Sequence, residues 1–278
     1  LFDLTGRVAL ITGATQGIGF AIARGLAHAG ARVVINARNS EKLDRAVAKL
    51  VSEGLPVSGS CFDVVKSDQI QEQVQALERE CGRIDILVNN AGIQRRMPLE
   101  TFDEAVWQEV LNTNLTAVFL VTKQVVQGMI ARKSGKIINI CSLMCEMARP
   151  TVAAYTAAKG GVKQLTKAMA VEWAKHNIQA NGLGPGYILT EMNRPLIEDA
   201  KFNAWVCGRT PAGRWADPTE LVGTAIFLAS GVNKIIYWKE IEKRLLVILG
   251  DWQTHAVSSE FAQGFFGAAS SLGNILVP

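Results

Sequence analysis

A short apolar run at 8–12 passes through Gly13, Gly17 and Gly19 directly into an Ala-rich stretch of helical period that ends at Gly30. A strand, a glycine turn and a helix in that order commit the chain to a parallel, helix-covered sheet. Glycine allows the tight reversal, and the next strand can be reached only by a crossover. The alternation continues through strands at 32–36, 56–62 and 84–88 and helices at 40–53 and 67–81. A long helix over 107–131, a buried strand at 136–141, a helix at 155–176 and a strand at 178–183 complete it. The expected fold is α/β, a doubly wound parallel sheet of Rossmann type, in a single domain with helices on both faces. No repeat, low-complexity tract or linker interrupts it before about residue 230.

Composition enters as a filter. Of the 278 residues 49% are hydrophobic and 19% charged, the balance of a globular chain with a sizeable core. No apolar run approaches the ~18 residues of a membrane span, and the first residues lack the layout of a secretory signal. The reading is a cytoplasmic protein with no membrane partner. The +4 charge comes from scattered Lys and Arg, so no nucleic-acid footprint is expected, only a mild bias toward anionic ligands. Five cysteines (61, 81, 141, 145, 207) lack Cys-x-x-Cys spacing, and His28, His176 and His255 are isolated. Buried free thiols and no metal site are expected.

The glycine turn runs Thr12-Gly13-Ala14-Thr15-Gln16-Gly17-Ile18-Gly19. Its place after a strand suits a dinucleotide pyrophosphate, which would meet the N–H groups at the helix start. The second strand ends in Asn36-Ala37-Arg38-Asn39, without the carboxylate that would bind the ribose hydroxyls of NAD. Arg38 suits a 2′-phosphate instead, so NADP is the expected cofactor, with NAD as the alternative. Gln16 stands where a second basic residue could have helped grip that phosphate.

Tyr155 and Lys159 lie four apart and share a helix face, and Ser142 ends the buried strand thirteen residues before that tyrosine. A free phenol titrates near ~10, and a neighbouring ammonium brings it toward the working range of an acid/base. Ser142 falls at the carboxyl edge of the sheet and could hold the reacting oxygen. Around the tyrosine, Ala153-Ala154-Tyr155-Thr156-Ala157-Ala158-Lys159-Gly160-Gly161 leaves space for a ligand. Together these suggest hydride exchange between a nicotinamide and a hydroxyl/carbonyl pair.

From about residue 3 to 230 the chain resembles the short-chain dehydrogenase/reductase family, on its Thr-Gly-x-x-x-Gly-x-Gly turn and the Ser142, Tyr155 and Lys159 set. Asn89-Asn90-Ala91-Gly92, Asn114 in Asn-Thr-Asn-Leu and Pro185-Gly186 carry the resemblance further. It implies that Tyr155 is the general acid/base, Ser142 positions the substrate oxygen, Lys159 also binds the nicotinamide ribose, and Asn114 anchors a relay water. It places Asp63 and Val64 at the adenine, Asn90 beside the adenosine ribose, and Ile188 and Thr190 about the nicotinamide carboxamide. Segments 89–96, 138–142, 185–192 and 204–215 resemble the gluconate 5-dehydrogenase branch, which implies a sugar-acid substrate.

A sugar acid needs a cation. Arg96 is the first choice for its carboxylate, with Arg95 as a surface charge, while Glu146 and Arg149 could contact hydroxyls. A lid is expected around 187–215, and a homo-oligomer, tetramer or dimer, by the resemblance. The rival readings are a reductase of 3-oxoacyl thioesters or of another keto sugar acid, and a non-catalytic dinucleotide-binding scaffold. The last keeps its place because the chain leaves the family pattern after Ser230. Ile235 to Trp238 reads as part of the last strand, the family's Asp-Gly-Gly turn is missing, and 239–278 form an atypical tail beyond a domain of 1–238.

Overall fold

The computed structural model describes residues 2–233, so the expected strand at 235–238 and the tail at 239–278 lie outside the described residues. Six parallel strands form one sheet in the order β3-β2-β1-β4-β5-β6. They are β1 (Val8–Ile11), β2 (Arg32–Ala37), β3 (Val57–Cys61), β4 (Ile86–Asn89), β5 (Gly135–Ile140) and β6 (Ile178–Leu183). This is the expected doubly wound Rossmann-type fold. Successive crossovers leave β1 toward β3 and then, from β4 onward, toward β6. Between β1 and β4 the loops diverge and open a crevice at the carboxyl edge.

The strands read as continuous apolar runs because both faces are covered. In β1, Ala9 and Ile11 pack into one core and Leu10 into the other; in β4, Ile86 and Val88 face the first and Leu87 the second. The first core is closed by α1 (Gly17–His28) and α2 (Ser40–Ser52), and the second by α3 (Ser67–Cys81) and later helices. Each fully buried Leu or Ile contributes about 1.5–3 kcal/mol.

The long helix expected over 107–131 is in fact two helices, α4 (Glu104–Leu111) and α5 (Ala117–Arg132), joined by a π-turn at Asn112–Thr116. Its signature is the Ala117 N–H donating to Asn112 O, one residue further back than in an α-helix. Inside that turn Asn114 is fully buried, its amide exchanging two hydrogen bonds with the Ile93 backbone at 2.7 and 2.8 Å. Periodicity does not reveal such a turn, because one surplus residue shifts the apolar stripe without ending it.

The next helix, α6 (Ala153–Trp173), lies against β6 and is hydrogen-bonded to β5. A buried polar chain holds it there. The Asn89 amide donates to Thr122 Oγ1 (2.9 Å) and Asn139 Oδ1 (2.8 Å), and the Asn139 amide donates to Thr166 Oγ1 of α6 (2.8 Å). Satisfied buried amides fix orientation, since any other packing would leave them unpaired. After β6 come α7 (Arg194–Glu198) and α8 (Ala200–Arg209), the latter capped by Asp199, and then α9 (Val222–Ala229) on the first core. The α7–α8 excursion is closed at its base, where Leu189 N donates to Ala216 O (2.9 Å) and Ala216 N to Tyr187 O (3.0 Å).

Candidate active site

A cleft of about 440 Å³ follows the carboxyl edge across the crevice between β1 and β4. Its floor at one end is the glycine turn. Gly13 (φ +62°) and Gly17 (φ +58°) have left-handed backbones that favour glycine, and a Cβ on Gly13 would lie 2.7 Å from the Ala91 Cα. The N-terminus of α1 has no side-chain cap and no acidic residue in its first turn, so its N–H groups face the cleft unclaimed by the chain's own side chains. Gln16 and Ile18 line the same floor. Gly19 does not. A Cβ there would lie 2.4 Å from the Asn90 amide, so its role is close packing.

Two asparagines tie the turn to its neighbours, a feature the sequence reading missed. The buried Asn36 accepts from Gly13 N (3.4 Å) and donates to Ser60 O (3.2 Å) and Phe62 O (3.0 Å). Asn90 donates to Thr12 O (3.0 Å) and Gly13 O (2.8 Å), while Thr12 Oγ1 accepts from the N–H groups of Asn90 and Ala91. Asn90, Gly92, Asp63 and Val64 all line the cleft.

Arg38 lines it too, with no carboxylate at the end of β2, and Lys42 adds a second cation. Lys42 sits in the first turn of α2, where Asn39 caps by accepting from its N–H (2.8 Å). Lys42 was not singled out from the sequence, and it lies three residues after the capping Asn39. A floor of glycine and free helix N–H groups with two flanking cations fits a phosphorylated dinucleotide.

Across the crevice, β5 and α6 bring Ser142, Tyr155 and Lys159 to the same cleft. Lys159 is buried and its ammonium donates to Ile140 O, the last carbonyl of β5, 5.8 Å from the centre of the Tyr155 ring. Ser142, two residues beyond that carbonyl, is half-buried, its hydroxyl accepting from Met144 N (3.2 Å). Asn114 stands behind the cleft wall: Thr113 and Ile93 line it, and Asn114 holds Ile93. Pro185, Gly186, Ile188 and Thr190 form the wall that follows β6.

The five cysteines are free. Cys141, beside Ser142, is buried and donates to Cys145, which brings the Cys145 thiol down to about 7 and leaves that of Cys141 raised. Among the described residues no cluster of three or more His, Cys, Asp or Glu could hold a metal.

The two arginines of the Asn-Ala-Gly loop part company. Arg95 is exposed and forked onto Glu109 (2.8 and 3.1 Å), a surface pair. Arg96 turns into the cleft, where burial first and then the charge of Arg149 hold its pKa below the usual guanidinium value. Glu146 is a correction. It pairs with Lys163 and lies outside the cleft lining, because the half-turn after Ser142 carries it toward α6. Arg149, further along that loop, does line the cleft, its guanidinium 5.0 Å from the centre of the Phe202 ring on α8. Tyr187 completes this corner, in edge contact with Phe202, Trp205 and Trp215 at 5.7, 6.1 and 5.2 Å.

The family model described as short chain dehydrogenase matches residues 7–201. The chain belongs to the short-chain dehydrogenase family. As a member it is an NAD(P)-dependent oxidoreductase. It is 52% identical to the gluconate 5-dehydrogenase of Gluconobacter oxydans (strain 621H), over 85% of this chain and 92% of that protein. It is 50% identical to the 5-keto-D-gluconate 5-reductase of Escherichia coli (strain K12), over 85% and 93% respectively. Among solved structures, a gluconate 5-dehydrogenase from Burkholderia cenocepacia J2315 in complex with NADP and tartrate superposes with a TM-score of 0.83. That protein is 52% identical, and the match covers 85% of this chain and 92% of that one.

Proposed function

We propose that the protein interconverts D-gluconate and 5-keto-D-gluconate with NADP. The observation that carries this is the meeting, in one cleft, of the Ser142–Tyr155–Lys159 group with the inward-turned Arg96. The names of the 50–52% identical relatives support the substrate, and the NADP of the solved relative supports the cofactor, as do Arg38 and Lys42.

In this reading the glycine turn, Arg38 and Lys42 would hold NADP, whose nicotinamide would supply or take up the hydride when bound. Tyr155 takes the proton of the reacting hydroxyl in one direction and returns it in the other. Lys159, held by Ile140 O, keeps positive charge beside the phenol as negative charge develops there. Ser142 fixes the substrate oxygen, and Asn114 acts through Ile93, setting the loop that carries Arg96. Arg96 Nε is buried without a hydrogen-bond partner, and a substrate carboxylate would supply one.

The α7–α8 excursion is read as the lid, since it sets Phe202 against Tyr187 and Arg149, both of which line the substrate corner. A homo-oligomer, tetramer or dimer, is supported by Phe119 on α5 and Val171 on α6, apolar and 47% and 81% exposed. Among the described residues no helix is long and apolar enough to cross a membrane.

The test is NADP reduction with D-gluconate, beside NAD, keto sugar acids and a 3-oxoacyl thioester. Tyr155→Phe is expected to lower kcat by ~10²–10⁴-fold while retaining NADP affinity. Turnover that survives in Tyr155→Phe, or a thioester preferred to every sugar acid, would reject the reading.

A further inference from the structure

The substrate corner holds more positive charge than one carboxylate can neutralise. Arg96 comes from the loop after β4 and Arg149 from the loop after β5, and both line the cleft. They are close enough for the charge of one to act on the other. Among the described residues neither has an ion-pair partner. Of the carboxylates lining the cleft, Glu191 is taken by Arg194 (2.9 Å), and Asp63 lies beyond β3, where its side chain accepts from Val65 N (3.1 Å).

The two guanidinium groups are also held differently. Arg149 is seated over Phe202 of α8, 5.0 Å from the ring centre, and a guanidinium against an aromatic ring still has N–H groups to offer an anion. Arg96 belongs instead with Tyr155 and Tyr187, both near enough to act on its charge. Two like charges in a half-buried corner repel, and in low dielectric that repulsion is relieved by one anion for each. A monoacid would neutralise one arginine and leave the other bare.

We propose that Arg96 and Arg149 form two separate anion positions, so that the cleft binds polyhydroxy dicarboxylates, the sugar diacids, in preference to monoacids of equal length. This rests on the sugar-acid reading above and extends it. Arg96 takes the carboxylate common to both classes, and Arg149 takes the second.

The experiment measures calorimetric Kd values for D-glucarate and D-gluconate on the full chain with oxidised NADP bound. It is done in the Tyr155→Phe background, so that neither acid turns over. The expected result is D-glucarate binding about tenfold or more tighter, a charge-assisted hydrogen bond's worth of discrimination. Adding Arg149→Gln should collapse that ratio to within about threefold, while Arg149→Lys, which keeps the charge, should preserve most of it and exclude simple unfolding. Adding Arg96→Gln should weaken both acids.

Equal affinities in the parent would overturn the proposal. So would Arg149→Gln weakening both acids by the same factor, which makes the arginines one clamp on one carboxylate. If the unmodified protein oxidises D-gluconate but D-glucarate binds no tighter, only the diacid inference falls. If D-glucarate binds and D-gluconate does not, the gluconate reading falls and the two-anion corner stands. If neither binds, both fall.

Discussion

At the glycine-turn end the surface offered to a ligand is mostly main chain, fixed by the left-handed Gly13 and Gly17, the start of α1 and the amides of Asn36 and Asn90. At the other end it is side chain: Arg96, Arg149 and Tyr187, carried on three segments that the sheet brings together, with Phe202 packed against the last two. The difference teaches where each end can vary. A main-chain surface tolerates almost no substitution at its glycines but depends little on the identity of its other residues. A side-chain surface can be retuned one residue at a time without touching the fold.

Three substitutions probe that contrast, and the largest effect is expected at Gly13→Ala. It places a Cβ 2.7 Å from the Ala91 Cα on a backbone at φ +62°, where a non-glycine residue costs about 1–2 kcal/mol before any clash. Dinucleotide affinity should fall more than ~100-fold together with Tm; unchanged values of both would mean that the turn is not a rigid main-chain surface. Arg96→Ala comes next. It removes a buried donor that has no hydrogen-bond partner, so Tm should hold or rise, while the KM for D-gluconate rises ~10–100-fold. A matching loss of Tm would show Arg96 to be structural. The smallest effect is expected at Lys42→Ala; with Arg38, Lys42 supplies side-chain charge at the main-chain end. Being exposed, Lys42 should contribute only ~3–10-fold to NADP affinity and nothing to NAD. Equal losses for both cofactors would place it away from the 2′-phosphate.

The same contrast explains what could be read before the structure. The turn, the parallel helix-covered sheet it implies and the Tyr155–Lys159 face follow from local rules of period and spacing, and Ser142 from its place at a strand end. Lys42 was missed because a lysine in the first turn of a helix looks like any solvated charge. Glu146 was misplaced because a half-turn rotates successive side chains apart, and nothing local says which of Glu146 and Arg149 will face inward. The seat of Arg149 on Phe202 joins residues 53 positions apart, 202 against 149, which no periodicity records.

The π-turn at Asn112–Thr116 also bears on how the chain can change over generations. It is one residue more than a continuous α-helix needs, so removing any one of its five residues would let α4 and α5 fuse into a regular rod. Each α-helical residue advances about 100°, so the fusion would swing one helix about its axis relative to the other by roughly that angle. Asn114 could not stay on Ile93 while α5 kept Val121 and Val125 in the core. Substitutions can be sampled freely along much of this surface. A single-codon deletion here would instead force a choice between the loop that presents Arg96 and the packing beneath the sheet, and that makes the length of this segment, more than its letters, the trait under selection.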